Sequence, residues 1–383
     1  MSSTPSAASS GSSSPTGISG RLVSLDALRG FDMFWILGAD SIGGAMAGLK
    51  AGPLTAALAE QLDHVAWEGF RFYDLIFPMF VFMIGVSLVF SLGRIQTTEG
   101  KAQAVQRIVK RSLLLYLLGI FVYNGSWKTW EDVRLLGVLQ RLALCYFFTS
   151  LLFLLCRPKA LLAVLIGILA GYWALLTWVP IPGHSVVSFA EGKNIVNWVD
   201  AHYLPWRKWD GDHDPEGLLS TLPAIGSCLL GVFAGLWLKP GQRNGTLKAM
   251  GLLGAGVALL VLGYGWGHYS PIIKKLWTSP YVLVAGGWSA ILLGCFYFVI
   301  DVLGLQLWAR PFVWVGMNPI ALYLTAHVAH FDRIASSLVG GPVSAALDQL
   351  IPGLGAFVVS VSAILLCVAL ARLMYVKNLF IRL

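Results

Sequence analysis

The sequence predicts an all-α integral membrane protein, a polytopic bundle of about ten transmembrane helices, and three observations carry that expectation. Of 383 residues, 57% are hydrophobic and only 12% charged, where a soluble domain carries roughly 25% charged residues. Mean hydropathy is +0.72. Apolar stretches long enough to cross a bilayer as helices recur near 25–47, 72–92, 108–123, 136–156, 160–180, 217–238, 246–268, 280–303, 311–331 and 354–375.

Residues 1–20 are rich in Ser, Gly, Ala, Pro and Thr, without a basic start or an apolar core, and are expected to form a disordered tail. The lysines and arginines of the connections then set orientation. With both termini cytoplasmic, sixteen fall inside, from Arg21 to Arg382, and ten outside, Lys50, Arg71, Lys128, Arg134 and Lys274 among them. The net charge of +8 follows this topology instead of clustering on one soluble face, so nucleic acid is not an expected partner. The five cysteines all lie in apolar runs with no CxxC pair. That argues against disulfides and against a zinc site, and no metal is expected.

The first span carries Asp26, Arg29, Asp32 and Asp40, with Asp26, Arg29 and Asp40 on one face of a helix. Charges within a membrane helix face the bundle interior or a water-filled cavity. The Asp26–Arg29 pair reads equally well as an internal ion pair. The second span is entered through a polar doorway of Asp63, His64, Trp67, Glu68, Arg71 and Asp74 at the outer membrane edge, where a polar substrate arrives from water. Trp67 also reads as an ordinary interfacial anchor. In span four, Arg134 and Arg141 share a face, and Arg141 lies about two turns inside the membrane. A buried arginine there needs a carboxylate, a carbonyl or a bound anion.

The outer connection 181–216 mixes Trp198, Trp206 and Trp209 with Asp200, Asp210, Asp212, Asp214 and Glu216. Aromatic faces among carboxylates suit a sugar, and interfacial anchoring explains each Trp singly as well. Asp214-Pro215-Glu216-Gly217 is expected to open span six, with acids in its first helical turn. Span nine is expected to break at Asn318-Pro319 and to align Tyr323, His327 and His330 on one face.

Several blocks, taken together and in order, resemble the transmembrane acetyltransferases typified by lysosomal heparan-α-glucosaminide N-acetyltransferase. They are RLVSLDALRGFDM, DHVAWEGFRFYDLIFPMFVFMIGVSL, RLLGVLQRL, DHDPEGLLSTLPAIGSCLLGVFAG, LWTSPYVL and VGMNPIALYLTAH, and they extend over nearly all of residues 21–331. The resemblance implies a transmembrane acetyltransferase domain over 21–383. It would move acetyl from cytoplasmic acetyl-CoA to an amino sugar on the far side. His64 matches the family's catalytic histidine, as base or transient acetyl carrier. Asp40 stands where the family has a partner asparagine, and Ala326-His327 where it has glycine-histidine. The lysosomal protein's leading span and large glycosylated N-terminal part have no expected counterpart.

Arg29 and Arg141 are the candidates to bind CoA, with Asn318 and His327 lining its pocket. Asp214, Glu216 and Trp67 are the candidates to bind the acceptor. The expected setting is a bacterial inner membrane, with a glucosamine-type acceptor in the periplasm, and a homo-oligomer is left open. Two other functions compete: a sugar transporter, against which the two halves of the chain show no repeat, and an O-acetyltransferase of cell-surface polysaccharide.

Overall fold

A computed structural model describes residues 22–49, 51–124, 129–241 and 243–381. The expected tail over 1–20 lies outside the described residues, as do Arg21, Lys50, Lys128 and Arg382 of the charge pattern. The chain forms fifteen α-helices among the described residues. In order they are α1 (Val23–Gly48), α2 (Pro53–Gln61), α3 (Phe72–Thr98), α4 (Lys101–Asn124), α5 (Val138–Leu155), α6 (Pro158–Trp178), α7 (Ile195–Tyr203) and α8 (Thr221–Leu238). There follow α9 (Gly245–Gly267), α10 (Ser279–Tyr297), α11 (Arg310–Met317), α12 (Pro319–Ala329), α13 (Phe331–Val339), α14 (Pro342–Leu350) and α15 (Leu354–Val376).

Every expected span coincides with a helix or a helix pair, and the protein is a polytopic helical membrane protein. Among the described residues seven helices, α3, α5, α6, α8, α9, α10 and α15, are long and apolar enough to cross a membrane. At 26 and 24 residues, α1 and α4 are also long enough, but they carry more charge. The ninth span is the pair α11–α12, bent by 81° at Asn318. Proline 319 lacks the N–H that would continue the ladder, and it disfavours helical geometry at the residue before it.

Two expectations are corrected. Span six begins at Thr221, not at Asp214, and 214–217 is a tight turn in front of it. His330 does not share a helical face with Tyr323 and His327, because it terminates α12 in a left-handed conformation (φ 48°). The long outer connection contains a helix of its own, α7, capped by the Asn194 side chain accepting from Asn197 N.

The core of the bundle is α3, α8 and α10, whose apolar windows are mostly buried, whereas α6, α9 and α15 lie at the periphery. Small residues allow the central crossings. A Cβ on Gly85 of α3 would strike the Cys228 carbonyl of α8, and one on Gly231 would strike that of Phe82. Hydrocarbon tails are as apolar as leucine, so close backbone approach of this kind, and not hydrophobic expulsion, holds membrane helices together. The crossing fixes where the N-terminus of α3 sits, and the site is built there.

Candidate active site

Asp74 is the third residue of α3, and its Oδ2 accepts from the backbone N–H groups of Arg71 (3.1 Å) and Val65 (3.3 Å). Both are loop donors at a helix N-terminus, where a carboxylate also gains from the dipole. The second oxygen, Oδ1, is turned to His64, whose Nδ1 lies 2.9 Å away. A carboxylate only accepts, so when the imidazole donates to Asp74 its proton is on Nδ1 and its lone pair on Nε2. Asp74 is 1% exposed and His64 49% exposed, so the pair has a fixed buried end and an open working end. Tyr73 stacks on the imidazole at 4.3 Å, and Tyr281 donates to the Asp74 carbonyl at 2.8 Å.

The loop carrying His64 is tied on two sides. Arg71 donates to the His64 carbonyl (3.1 Å) and to Glu60 Oε1 (2.9 Å). Gly69, at φ 127°, donates its N–H to Ile272 (2.9 Å), which joins this loop to the one before α10. That junction delivers Lys274, whose Nζ is 3.2 Å from Asp74 Oδ1 and within 3.3 Å of both imidazole nitrogens.

Asp40 is therefore not the partner of His64. It is exposed on α1 and faces the Tyr73 hydroxyl, so it reaches the imidazole only through the stacked ring. The carboxylate that orients His64 is Asp74, ten residues along the chain and one face of a helix N-terminus away.

Beside this centre Arg134 is buried between the rings of Tyr123 and Trp209, at 5.3 and 5.0 Å. Its guanidinium donates to both oxygens of Asp214 (2.8 and 2.6 Å) and to Glu216 Oε2 (2.5 Å). Burial opposes its charge, yet the bonds to the two carboxylates hold its pKa above the ordinary arginine value. Asp214 also accepts from the N–H groups of Trp209 and Glu216. Its oxygens are thus all engaged inside the protein. Glu216 keeps partial access, and burial raises its pKa. The Trp67 indole N–H bonds the Phe189 carbonyl (2.9 Å) and pins the 181–216 connection to the His64 loop.

Asp200 of α7 supports the turn, accepting from Leu218 N (2.9 Å) and Asp214 N (3.4 Å). Burial pushes its carboxyl up to about 6. A folded pKa above the unfolded value near 3.9 means stability that is present at low pH and lost as pH rises through 6. Thermal denaturation should therefore show a loss on the order of 2–3 kcal/mol between pH 4 and pH 7 that Asp200→Asn removes.

Of the residues expected to hold CoA, Arg141 is wholly buried behind the site. It donates to Ser220 Oγ and to the Gly217 carbonyl and lies 4.9 Å over the Trp277 ring. Its Nε and Nη1 have no partner among the described residues. Arg29 donates to Ser87 Oγ (2.9 Å), sits 3.6 Å from Asp26, and lines a cavity of about 260 Å³ with Arg111, Met83, Leu142 and Pro319. Asn318 does not line that cavity. Its side chain bonds the backbone of Leu379 and Ile381 (both 2.9 Å) and so fixes the C-terminal segment as a wall. His327 is not at that cavity either; it lies against Tyr323, bonded to that residue's carbonyl at 2.9 Å.

Glu191, Asp210 and His213 form the one group with metal-ligand spacing among the described residues. The Lys275 ammonium bridges its two carboxylates at 2.7 and 2.9 Å, a clasp between the outer loop and the loop before α10. Sequence reasoning missed Asp74 as a partner, although an acid at the third helical position was a readable capping signal. Lys274 carried no signal, being 210 residues from His64.

The catalytic-region profile of the heparan-alpha-glucosaminide N-acetyltransferases matches residues 21–264. The matched segment contains His64, Asp74, Arg134 and Glu216 and ends before Lys274 and the α11–α12 break. Human heparan-alpha-glucosaminide N-acetyltransferase is 30% identical over 322 residues, covering 68% of this chain and 48% of the human protein. The mouse protein of the same name is 28% identical over 327 residues, with the same two coverages. The chain thus spans about half the length of the curated relatives it matches. With a histidine oriented by a buried carboxylate at the core of the matched region, the chain belongs to the heparan-α-glucosaminide N-acetyltransferase catalytic family.

Proposed function

We propose that this protein is a membrane-embedded acetyltransferase. It would take acetyl from acetyl-CoA on the cytoplasmic side and deliver it to the amine of a glucosamine-type sugar on the other, in a bacterial inner membrane. The observation that carries the reading is the His64–Asp74 pair, a half-exposed imidazole held at Nδ1 by a buried carboxylate. Asp74 holds the ring in one tautomer and balances the imidazolium that forms during transfer. In one route Nε2 takes the proton of the attacking amine and returns it to the departing sulfur. In the other, Nε2 bonds the acyl carbon as the carbon–sulfur bond breaks and sulfur leaves as thiolate. The amine then displaces the imidazole, and its proton goes to the freed Nε2 or to the thiolate.

The residues present fit acetyl-CoA. Arg29 and Arg111 put two guanidinium groups on one cavity, with Arg111 Nε unpartnered, which suits phosphate oxygens. The unfilled N–H groups of Arg141 suit the buried carbonyls of the pantetheine arm. Glu216, still partly accessible, suits the ammonium or hydroxyls of the sugar.

The test is purified protein with labelled acetyl-CoA and a panel of amino sugars and their amine-free analogues. We expect acetyl-CoA to raise the melting temperature and label to pass to amino sugars only. Label passing only to hydroxyl acceptors, or no thermal stabilisation by acetyl-CoA, would overturn the reading. Label on the protein without acceptor, released by hydroxylamine and missing from His64→Ala, would select the acetyl-carrier route.

A further inference from the structure

We propose that Lys274 is a further catalytic residue of this site, its ammonium placed to stabilise the oxyanion that develops on the acetyl carbonyl during transfer. The inference rests on the acetyltransferase reading and names how that site meets the negative charge of its transition state.

The geometry begins with a lysine that is unusually well held. Its loop is bonded to the His64 loop through Gly69 N and the Ile272 carbonyl (2.9 Å), and Glu68 bridges to Ile273. Thr278 Oγ1 ties the loop internally, accepting from Ile273 N (3.1 Å) and donating to the Pro271 carbonyl (2.9 Å). The neighbouring Lys275 turns the opposite way, into Glu191 and Asp210. One lysine docks the loop, and the other is delivered into the centre.

Lys274 Nζ lies 2.9 Å from Nδ1 and 3.3 Å from Nε2 of His64, and 3.2 Å from Asp74 Oδ1. A ligand atom engaged by Nε2 sits about 3 Å from that nitrogen. The carbonyl oxygen next to it then comes within hydrogen-bond reach of the ammonium. Asp74 already receives two backbone N–H groups and the imidazole. The lysine is therefore not required to satisfy that carboxylate, and the donor it now turns to the imidazole can pass to a carbonyl oxygen bound beside Nε2. Its side chain is 23% exposed, so the charge is partly withdrawn from water.

The chemistry balances with these groups alone. The amine nitrogen bonds the carbonyl carbon, and the carbonyl π pair moves to oxygen beside Lys274. His64 Nε2 takes the amine proton. As the carbonyl re-forms, the carbon–sulfur pair leaves with sulfur, which receives that proton to give the free thiol and the acetamide. Lys274 gives up no proton; it supplies charge where charge develops.

Burial lowers the pKa of Lys274 from the ordinary lysine range. The active form is the ammonium, so rate should fall as pH rises through this lowered value, giving a basic limb that belongs to Lys274. The experiment compares Lys274→Met, Lys274→Arg and His64→Ala with wild type across pH 6–11. In Lys274→Met we expect kcat to fall about 100-fold, as for loss of one oxyanion donor, with the KM for acetyl-CoA within about twofold of wild type. Lys274→Arg should recover most of that loss and move the basic limb upward, because guanidinium does not titrate there. Retention of more than half of kcat in Lys274→Met, or an unmoved basic limb in Lys274→Arg, would overturn the proposal. Should Lys274→Met fail to fold, seen as loss of thermal stabilisation by acetyl-CoA, the limb in Lys274→Arg decides alone. Full activity in His64→Ala would overturn the parent reading instead, so the two failures are distinct.

Discussion

His64→Ala should abolish acetyl transfer while the protein still folds, accumulates and is stabilised by acetyl-CoA. The expected loss is at least 10²–10⁴-fold in kcat, the range supplied by a positioned acid–base group, and larger if the imidazole carries acetyl itself. Folding is spared because the side chain is half exposed, and because Asp74 keeps its two backbone donors and Lys274 when the imidazole is removed. Asp74→Asn should act on the same step with a different signature. Its amide keeps one acceptor oxygen and the helix cap, but no longer balances an imidazolium. We expect kcat to drop with little change in KM, as for an interaction made mainly in the transition state. Steady-state kinetics with labelled acetyl-CoA check both. Full activity in His64→Ala would remove the imidazole from the reaction, and Lys274 would then have to be explained without it.

The helices were legible because a bilayer leaves the backbone few options: apolar length alone announces a span. The Asn318-Pro319 break was legible for the same kind of reason, since proline removes a ladder bond whatever surrounds it. His64 was legible from its place at a membrane edge and from a family resemblance. Its partner was not. Asp40 sits on a helix, at the right depth, and matches the family asparagine, but depth and alignment do not fix which way a side chain turns across the bundle. Asp74 won through a local rule: an acid three residues into a helix bends back to the loop before it, and His64 is in that loop. The acids of 214–216 misled for the opposite reason. Their spacing from proline fits a helix start, but Arg134, eighty residues earlier, draws both carboxylates into a buried turn. Long-range ion pairs of this sort leave no periodicity to read.

That ion pair leads to the largest expected change in stability. Arg134→Ala should destabilise the protein by about 3–5 kcal/mol, the usual cost of stranding a buried charge by deleting its partner. Two carboxylates lose their countercharge at once, because the same guanidinium bonds Asp214 through both oxygens and Glu216 through one. The rings of Tyr123 and Trp209 on either side lose their cation as well. Lysine cannot substitute, since one ammonium offers no planar fork to span two acids, and Arg134→Lys should recover well under half of the loss.

The pH dependence separates charge from packing. Without the guanidinium, the burial that raises the Glu216 pKa goes unopposed, so the stability linked to that group is present at low pH and lost as pH rises. The deficit should be greater near pH 8 than at pH 5. Adding Glu216→Gln to Arg134→Ala should restore more of the loss at pH 8 than at pH 5. Melting curves in detergent at the two pH values measure this directly. A deficit independent of pH would mean that Arg134 holds the 214–217 turn by shape and not by charge.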